Sequence, residues 1–322
     1  MPVCPLDSST VVRVPGPSPA VAGRGRFLRF GAALVVLLGL AGYLVVQYEG
    51  GGRPAPRCTV IGAGGASYEM TYEQAENAAT ISAVGTSRKM PERAVTIALA
   101  TALQESGLRN IDHGDRDSVG LFQQRPSQGW GTIAQIMDPV YSAGKFYDGL
   151  KDVPGYSRLP LTVAAQKVQR SGFPQAYAKH EPDAALLSAA LTGRAAGSLK
   201  CEGPAAAQAG DPAQVREALE RDFGRGVLPR TEAAGAEVTD DAKAAERQRT
   251  VHVPVTGGDG RRGWELAQWA VAQASALRLE RVVYDGREWV AGEDDGQWRE
   301  AGSGSGSDEG SGAAEVLIVT AA

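Results

Sequence analysis

Histidine and cysteine are scarce in this chain of 322 residues, which has three of each. His113, His180 and His252 stand far apart, and no His/Cys/Asp cluster has the spacing of a zinc site. No metal, no cofactor and no histidine-based nucleophile are therefore expected. A glycine-rich phosphate loop is also lacking: Gly50-Gly51-Gly52 and the stretch from Gly302 to Gly312 read as flexible linkers. The net charge of −4, with no basic stripe interleaved with aromatics, argues against a nucleic-acid partner. Long apolar runs are limited to one, Phe30 to Tyr48. A single segment cannot line a path across a membrane, which argues against a transporter.

That run (FGAALVVLLGLAGYLVVQY) is essentially uncharged and has roughly the length that spans a bilayer core. Residues 1–29 before it are rich in proline and carry Arg13, Arg24, Arg26 and Arg29 against Asp7. Arginines on the amino side predict a cytoplasmic amino terminus. The run is long for a signal-peptide core and no small-x-small cleavage site follows it, so a signal anchor is favoured over a cleaved signal. The expectation is a single-pass protein of the cell membrane with everything after Gly50 outside the cytoplasm. Cys4 then sits in a reducing compartment, whereas Cys58 and Cys201 face an oxidising one. A disulfide between these two would close a long loop and contribute about 3–5 kcal/mol in the chain-entropy model. The alternative is two unrelated buried thiols.

Beyond the anchor the composition divides the chain again. A linker over 49–65 precedes a predominantly helical region over 66–202, with helices expected at Tyr72–Ala83, Pro91–Ser106, Pro139–Leu150, Leu161–Ser171 and Pro182–Leu191. Pro91, Pro139 and Pro182 suit first-turn positions. Residues 203–249 are rich in Ala, Pro, Gly and alternating charge, and read as a linker with one helix, Ala213–Phe223. Residues 250–322 read as a small α+β domain: a strand at Thr250–Val255, an amphipathic helix at Trp264–Leu277, a hairpin turning at Asp285-Gly286, and a last strand at Glu315–Thr320. Trp264, Trp269, Trp289 and Trp298 fall in this region, as core residues or as a carbohydrate platform.

The chemistry concentrates around Glu105. The stretch PERAVTIALATALQ before it is apolar on nearly every side, as in a helix buried in a core, and Gly107 suits its stop. A carboxyl group in the last turn of such a helix meets apolar surroundings and the negative end of the helix dipole. Both disfavour the charged form. A carboxylic acid kept protonated near neutral pH is what glycosidic cleavage requires, because the leaving oxygen must receive a proton.

Glu105-Ser106-Gly107 followed by Ser118-Val119-Gly120-Leu121-Phe122-Gln123 resembles the Glu-Ser and Gly-Leu-x-Gln signatures of the lysozyme-like superfamily, and more closely the soluble lytic transglycosylases and goose-type lysozymes. The resemblance implies a mainly α lysozyme-like domain that cleaves the β-1,4 bond between N-acetylmuramic acid and N-acetylglucosamine in peptidoglycan glycan strands. It makes Glu105 the catalytic acid/base and places Ser106, Gly120, Leu121 and Gln123 along the sugar. The family's Ala-Tyr-Asn element would fall near Ala164–Ser171, where the Tyr-Asn pair is absent with Gln and Arg in its place; Gln166 and Gln169 are the candidate substrate contacts there.

Inverting hydrolysis needs a second carboxylate, for which Asp115 and Asp117 are the nearest candidates; a lytic transglycosylase needs none. The same Asp-rich loop also reads as a simple cap or solvated turn, and it lacks the ligand spacing of a helix-loop-helix calcium site. Gln124, Arg125 and Trp130 follow in a loop whose amide and indole groups suit N-acetyl, hydroxyl and pyranose-face contacts. The alternative function is a non-catalytic peptidoglycan-binding or scaffold protein of the cell envelope. More weakly, 250–322 resembles a small domain of cell-wall proteins related to zinc D-Ala-D-Ala peptidases, without the closing His-x-His strand.

Overall fold

Helix α2 (Tyr72–Ser87) shows how this sequence builds its core. Ala75 and every residue from Asn77 to Gly85 are buried, so every face of the helix is covered. Their small size lets several helices approach at once. Gly85 marks the tightest approach, where a Cβ would come within 2.6 Å of the Tyr147 hydroxyl. Thr71 and Gln74 start the helix with a reciprocal capping box.

The computed structural model describes residues 37–41, 57–171, 174–229, 241–255, 260–302 and 315–322. Residues 37–41 are helical (α1) and belong to a unit of their own, 1–53. The rest of the expected membrane span at 30–48, and the cytoplasmic tail 1–29, lie outside the described residues. Among the described residues no helix is long and apolar enough to cross a membrane.

Residues 54–322 form the second unit. Strands β1 (Arg57–Ile61) and β2 (Ser67–Thr71) lead into α2, and α3 (Glu92–Ser106) follows. Then come α4 (Ile133–Ile136), α5 (Pro139–Lys151), α6 (Leu161–Gln169), a 3-10 stretch Pro174–His180, and α7 (Glu181–Leu191). Strand β3 (Leu199–Glu202) pairs antiparallel with β1, so a three-stranded sheet in the order β2-β1-β3 joins the two ends of the helical region. Cys58 and Cys201 are direct partners across that pairing and form a disulfide closing a separation of 143 residues.

Helix boundaries follow local chemistry. Pro91 is the N-cap of α3 rather than its first residue, and Gly107 ends it in the left-handed conformation (φ 63°). Asp138 caps α5 by accepting from Val140 and Tyr141 amides, with Pro139 in the first turn. Helix α6 stops at Gln169, short of the expected Ser171, because Arg170 turns left-handed at φ 52°.

The segment expected to be a linker carries α8 (Pro212–Phe223) and α9 (Asp241–Gln248). After them come β4 (Thr250–Pro254), α10 (Arg261–Leu277), β5 (Leu279–Tyr284), β6 (Arg287–Val290), β7 (Arg299–Glu300) and β8 (Glu315–Thr320), with the five strands ordered β4-β8-β5-β6-β7. Asp285 and Gly286 make the β5–β6 turn with left-handed backbones. The expected division between a helical domain and a terminal α+β domain does not part the core, because α3, α5, α7, α8 and α10 all pack on α2. Gln268 of α10 accepts from the Ser198 and Leu199 amides at 2.9 Å and donates to the Ala190 and Ala195 carbonyls. Trp264, Trp269, Trp289 and Trp298 are all buried in this core, which leaves none as a surface platform for sugar.

Candidate functional site

The carbonyl end of α3 is held from two sides. From α2, Gln74 Nε2 donates to Gly107 O at 2.7 Å and Asn77 Nδ2 to Leu108 O at 2.9 Å. Ser106 is buried, and its hydroxyl donates to Ala102 O within the helix and to Leu121 O at 2.8 Å. The last turn of the helix is therefore tied to the Gly-Leu-Phe-Gln turn.

That turn is narrow. Val119 and Gln124 exchange backbone hydrogen bonds of 3.0 and 3.1 Å, and the Gly120 amide donates to Ile111 O at 2.7 Å. Gly120 sits at φ 79°, and a Cβ there would meet Ile136 O at 2.8 Å, so only glycine fits. Leu121 and Phe122 are fully buried, with Phe122 stacked on Phe146 of α5 at 4.8 Å. From α6, Gln169 Nε2 donates to Phe122 O at 2.7 Å. Helices α3, α5 and α6 thus converge on one turn.

Glu105 stands half-buried at this junction. Its Oε1 accepts from the Tyr177 hydroxyl at 2.6 Å, and Gln169 also hydrogen-bonds to it. Burial raises the carboxyl pKa above its ordinary value, and the Tyr177 and Gln169 hydrogen bonds oppose that rise without cancelling it. Tyr177, fully buried, has its own pKa raised by burial and by the Glu105 charge, so it remains a donor. Beside them His180 Nε2 lies 3.2 Å from Gln104 Oε1.

Sequence reasoning missed Tyr177. It sits in the 3-10 stretch after α6, beyond the segment where an Ala-Tyr-Asn element was expected. The Ala176-Tyr177 pair was the available signal, with Ala178 rather than Asn following it.

The remaining predicted residues fall into different places. Gln123, at a left-handed φ of 48°, lies across Gly114 and donates to the His113 and Gly120 carbonyls at 3.3 Å. Gln124 is buried, donating to Ser142 O at 3.0 Å, and so presents no amide to a sugar. Arg125 and Asp117 bond to each other at 2.7 Å, and Asp117 also accepts from the Ser127 amide and hydroxyl. Those bonds hold the Asp117 carboxyl far below the usual carboxylate range. Asp115 is exposed, 3.9 Å from Arg116. Trp130 is half-buried, anchored through its carbonyl to the Tyr141 hydroxyl at 3.1 Å. Gln166 donates to Ser171 O at 2.8 Å and lines a cavity of about 270 Å3 with Thr162, Val163, Lys167 and Gln175. Glu105 does not line that cavity, nor a larger one of about 410 Å3 near β3.

Among the described residues no group of three His, Cys, Asp or Glu side chains is placed to hold a metal ion. What the arrangement offers is one partly desolvated carboxyl group, held by a phenol and an amide against a rigid turn. That is equipment for moving a proton. No protein-family model matches the chain, and no curated protein matches it in sequence.

Proposed function

We propose that this chain is a membrane-anchored, extracytoplasmic peptidoglycan glycosidase of lytic transglycosylase or lysozyme type, with Glu105 as its general acid and base. The observation that carries this reading is the Glu105 carboxyl, raised in pKa by burial and gripped by Tyr177 at 2.6 Å beside the Gly120–Gln123 turn. A protonated Glu105 donates to the glycosidic oxygen as the bond breaks, and its carboxylate then takes a proton in the second half of the reaction. Tyr177 and Gln169 orient it and stabilise the anion formed between the two halves.

Asp117 is committed to Arg125 and Ser127, and Asp115 stands in solvent, and no hydrogen bond among the described residues ties either of them to Glu105. This favours the lytic outcome, in which groups of the substrate itself complete the reaction and a 1,6-anhydro sugar forms. The Cys58–Cys201 disulfide supports an oxidising location outside the cytoplasm.

The test is mass spectrometry of soluble muropeptides after incubating the full-length chain with peptidoglycan, wild type beside Glu105→Gln. Anhydro-muramyl products from wild type alone are expected. Reducing-end products would make the enzyme a hydrolase. No release, with the protein still sedimenting with the wall, would replace the enzyme by a glycan-binding scaffold.

A further inference from the structure

A cavity of about 410 Å3 lies where the two sheets approach each other. Its walls come from residues 61–63 at the end of β1, residues 195–198 before β3, and Arg287, Gln297 and Trp298 from the terminal sheet region. That volume is in the range of small-ligand sites, which combine apolar walls with a few convergent polar groups. Here the apolar part sets the Trp298 indole beside methyl-sized and aliphatic groups: Ala63, Ala195, Ala196 and an unusually exposed Ile61.

The charged residues that line it are both cations, Lys200 and Arg287. Lys200 is already matched, with Nζ 2.8 Å from Glu202 Oε1. Arg287 pairs with no carboxylate among the described residues. Its Nη2 donates to the Trp298 carbonyl at 3.2 Å, and its guanidinium lies 5.8 Å from the centre of the Trp264 ring. A guanidinium carries five N–H donors, so most of its capacity is unused by these contacts. Gly197 makes the placement possible: its φ is 58°, and a Cβ there would come within 2.7 Å of Arg287 Nη1. The Ala196 and Gly197 amides beside it donate no hydrogen bond among the described residues.

One uncompensated cation fits one negative charge. A guanidinium fork matches a carboxylate in two parallel hydrogen bonds. A dianionic phosphate would leave charge unmet, and the alanine-lined walls offer it nothing. We propose that this cavity binds a monocarboxylate on a short aliphatic body, such as the C-terminus of an alanine-containing peptide, through Arg287. The site stands apart from Glu105 and does not depend on the glycan reading.

The experiment is calorimetric titration of the full-length chain with N-acetyl-alanyl-alanine, its C-terminal amide, and inorganic phosphate. Saturable binding of the acid is expected, with the amide roughly ten- to a hundredfold weaker, as loss of a charged hydrogen-bond pair implies. Arg287→Gln should weaken the acid by the same factor. Ala196→Glu, at an exposed position on the same wall, should abolish binding while the unfolding temperature stays unchanged, and it decides the matter if Arg287→Gln folds poorly. Equal affinity for acid and amide, retained binding in either variant, tighter binding of phosphate, or no binding of the acid would each overturn the proposal.

Discussion

Tyr177 donates its phenolic hydrogen to Glu105 Oε1 across 2.6 Å, although 72 residues separate them in the chain. The bond favours the carboxylate, whereas the burial around it favours the neutral acid. Glu105 is poised between these opposing influences, and burial is the larger. Tyr177→Phe should therefore push the Glu105 pKa higher still. Because Glu105 must be protonated for the first step, the high-pH limb of the activity profile should move upward. The rate at its optimum should fall by about tenfold, the value of one hydrogen bond to a charged group. Muropeptide release measured across pH tests both effects. An unmoved limb would reduce Tyr177 to packing.

A raised carboxyl pKa is also a statement about stability. Glu105 contributes fully to the folded state below the ordinary carboxylate range, and that contribution is lost as pH rises through its folded pKa. Glu105→Gln keeps a neutral side chain at every pH. The variant should melt at a higher temperature than wild type at pH 7, and the difference should vanish below about pH 4. Its muropeptide release should meanwhile fall by about 10²- to 10⁴-fold, the usual cost of losing a general acid. Thermal melts at the two pH values separate this from mere loss of fold.

The site was half legible in sequence, and the missing half is missing for a physical reason. A helix apolar on all sides announces α3, and Gly107 announces its end, so the burial of Glu105 could be argued from adjacent residues. Gly120, which the resemblance placed along the sugar, also closes a turn that leaves no room for a Cβ, and only the folded chain shows that. Tyr177 reaches Glu105 only after α6 and the 3-10 stretch fold back, which no local pattern encodes. The small sheet was invisible likewise, since β1 and β3 pair across the whole helical region. Gln268 reads as an ordinary polar residue on an amphipathic helix. Its five hydrogen bonds to the 190–199 segment exist only once α10 has docked.

The acidic loop between the two motifs yields a prediction by contrast. Asp117 is engaged by Arg125 and Ser127, which depress its pKa, so its contribution to order is present above the usual Asp range and lost as pH falls. Asp117→Asn should loosen the 125–128 loop and raise KM while kcat stays within an order of magnitude. Asp115→Asn should change neither. Steady-state kinetics on glycan strands would show this. A kcat loss of roughly a hundredfold or more in either variant would restore the second-carboxylate role and an inverting hydrolysis.

Asp222 tests whether the helical region and the terminal sheet fold as one. Its side chain is fully buried, accepting from Thr80 Oγ1 on α2 at 2.9 Å, from Trp269 Nε1 on α10 at 2.8 Å, and from Arg221 Nε at 2.8 Å. Asp222→Ala strands an indole N–H and a hydroxyl in the core, at a cost of about 3 kcal/mol. Arg221 is half-exposed and finds water instead, which keeps the cost from rising further. Since the carboxylate bridges α2 and α10, that loss should fall on the whole of 54–322. Urea unfolding followed by far-ultraviolet circular dichroism and by tryptophan fluorescence should shift to a lower midpoint in both signals together. A terminal region that folded independently would instead split the two transitions, with the fluorescence change moving alone.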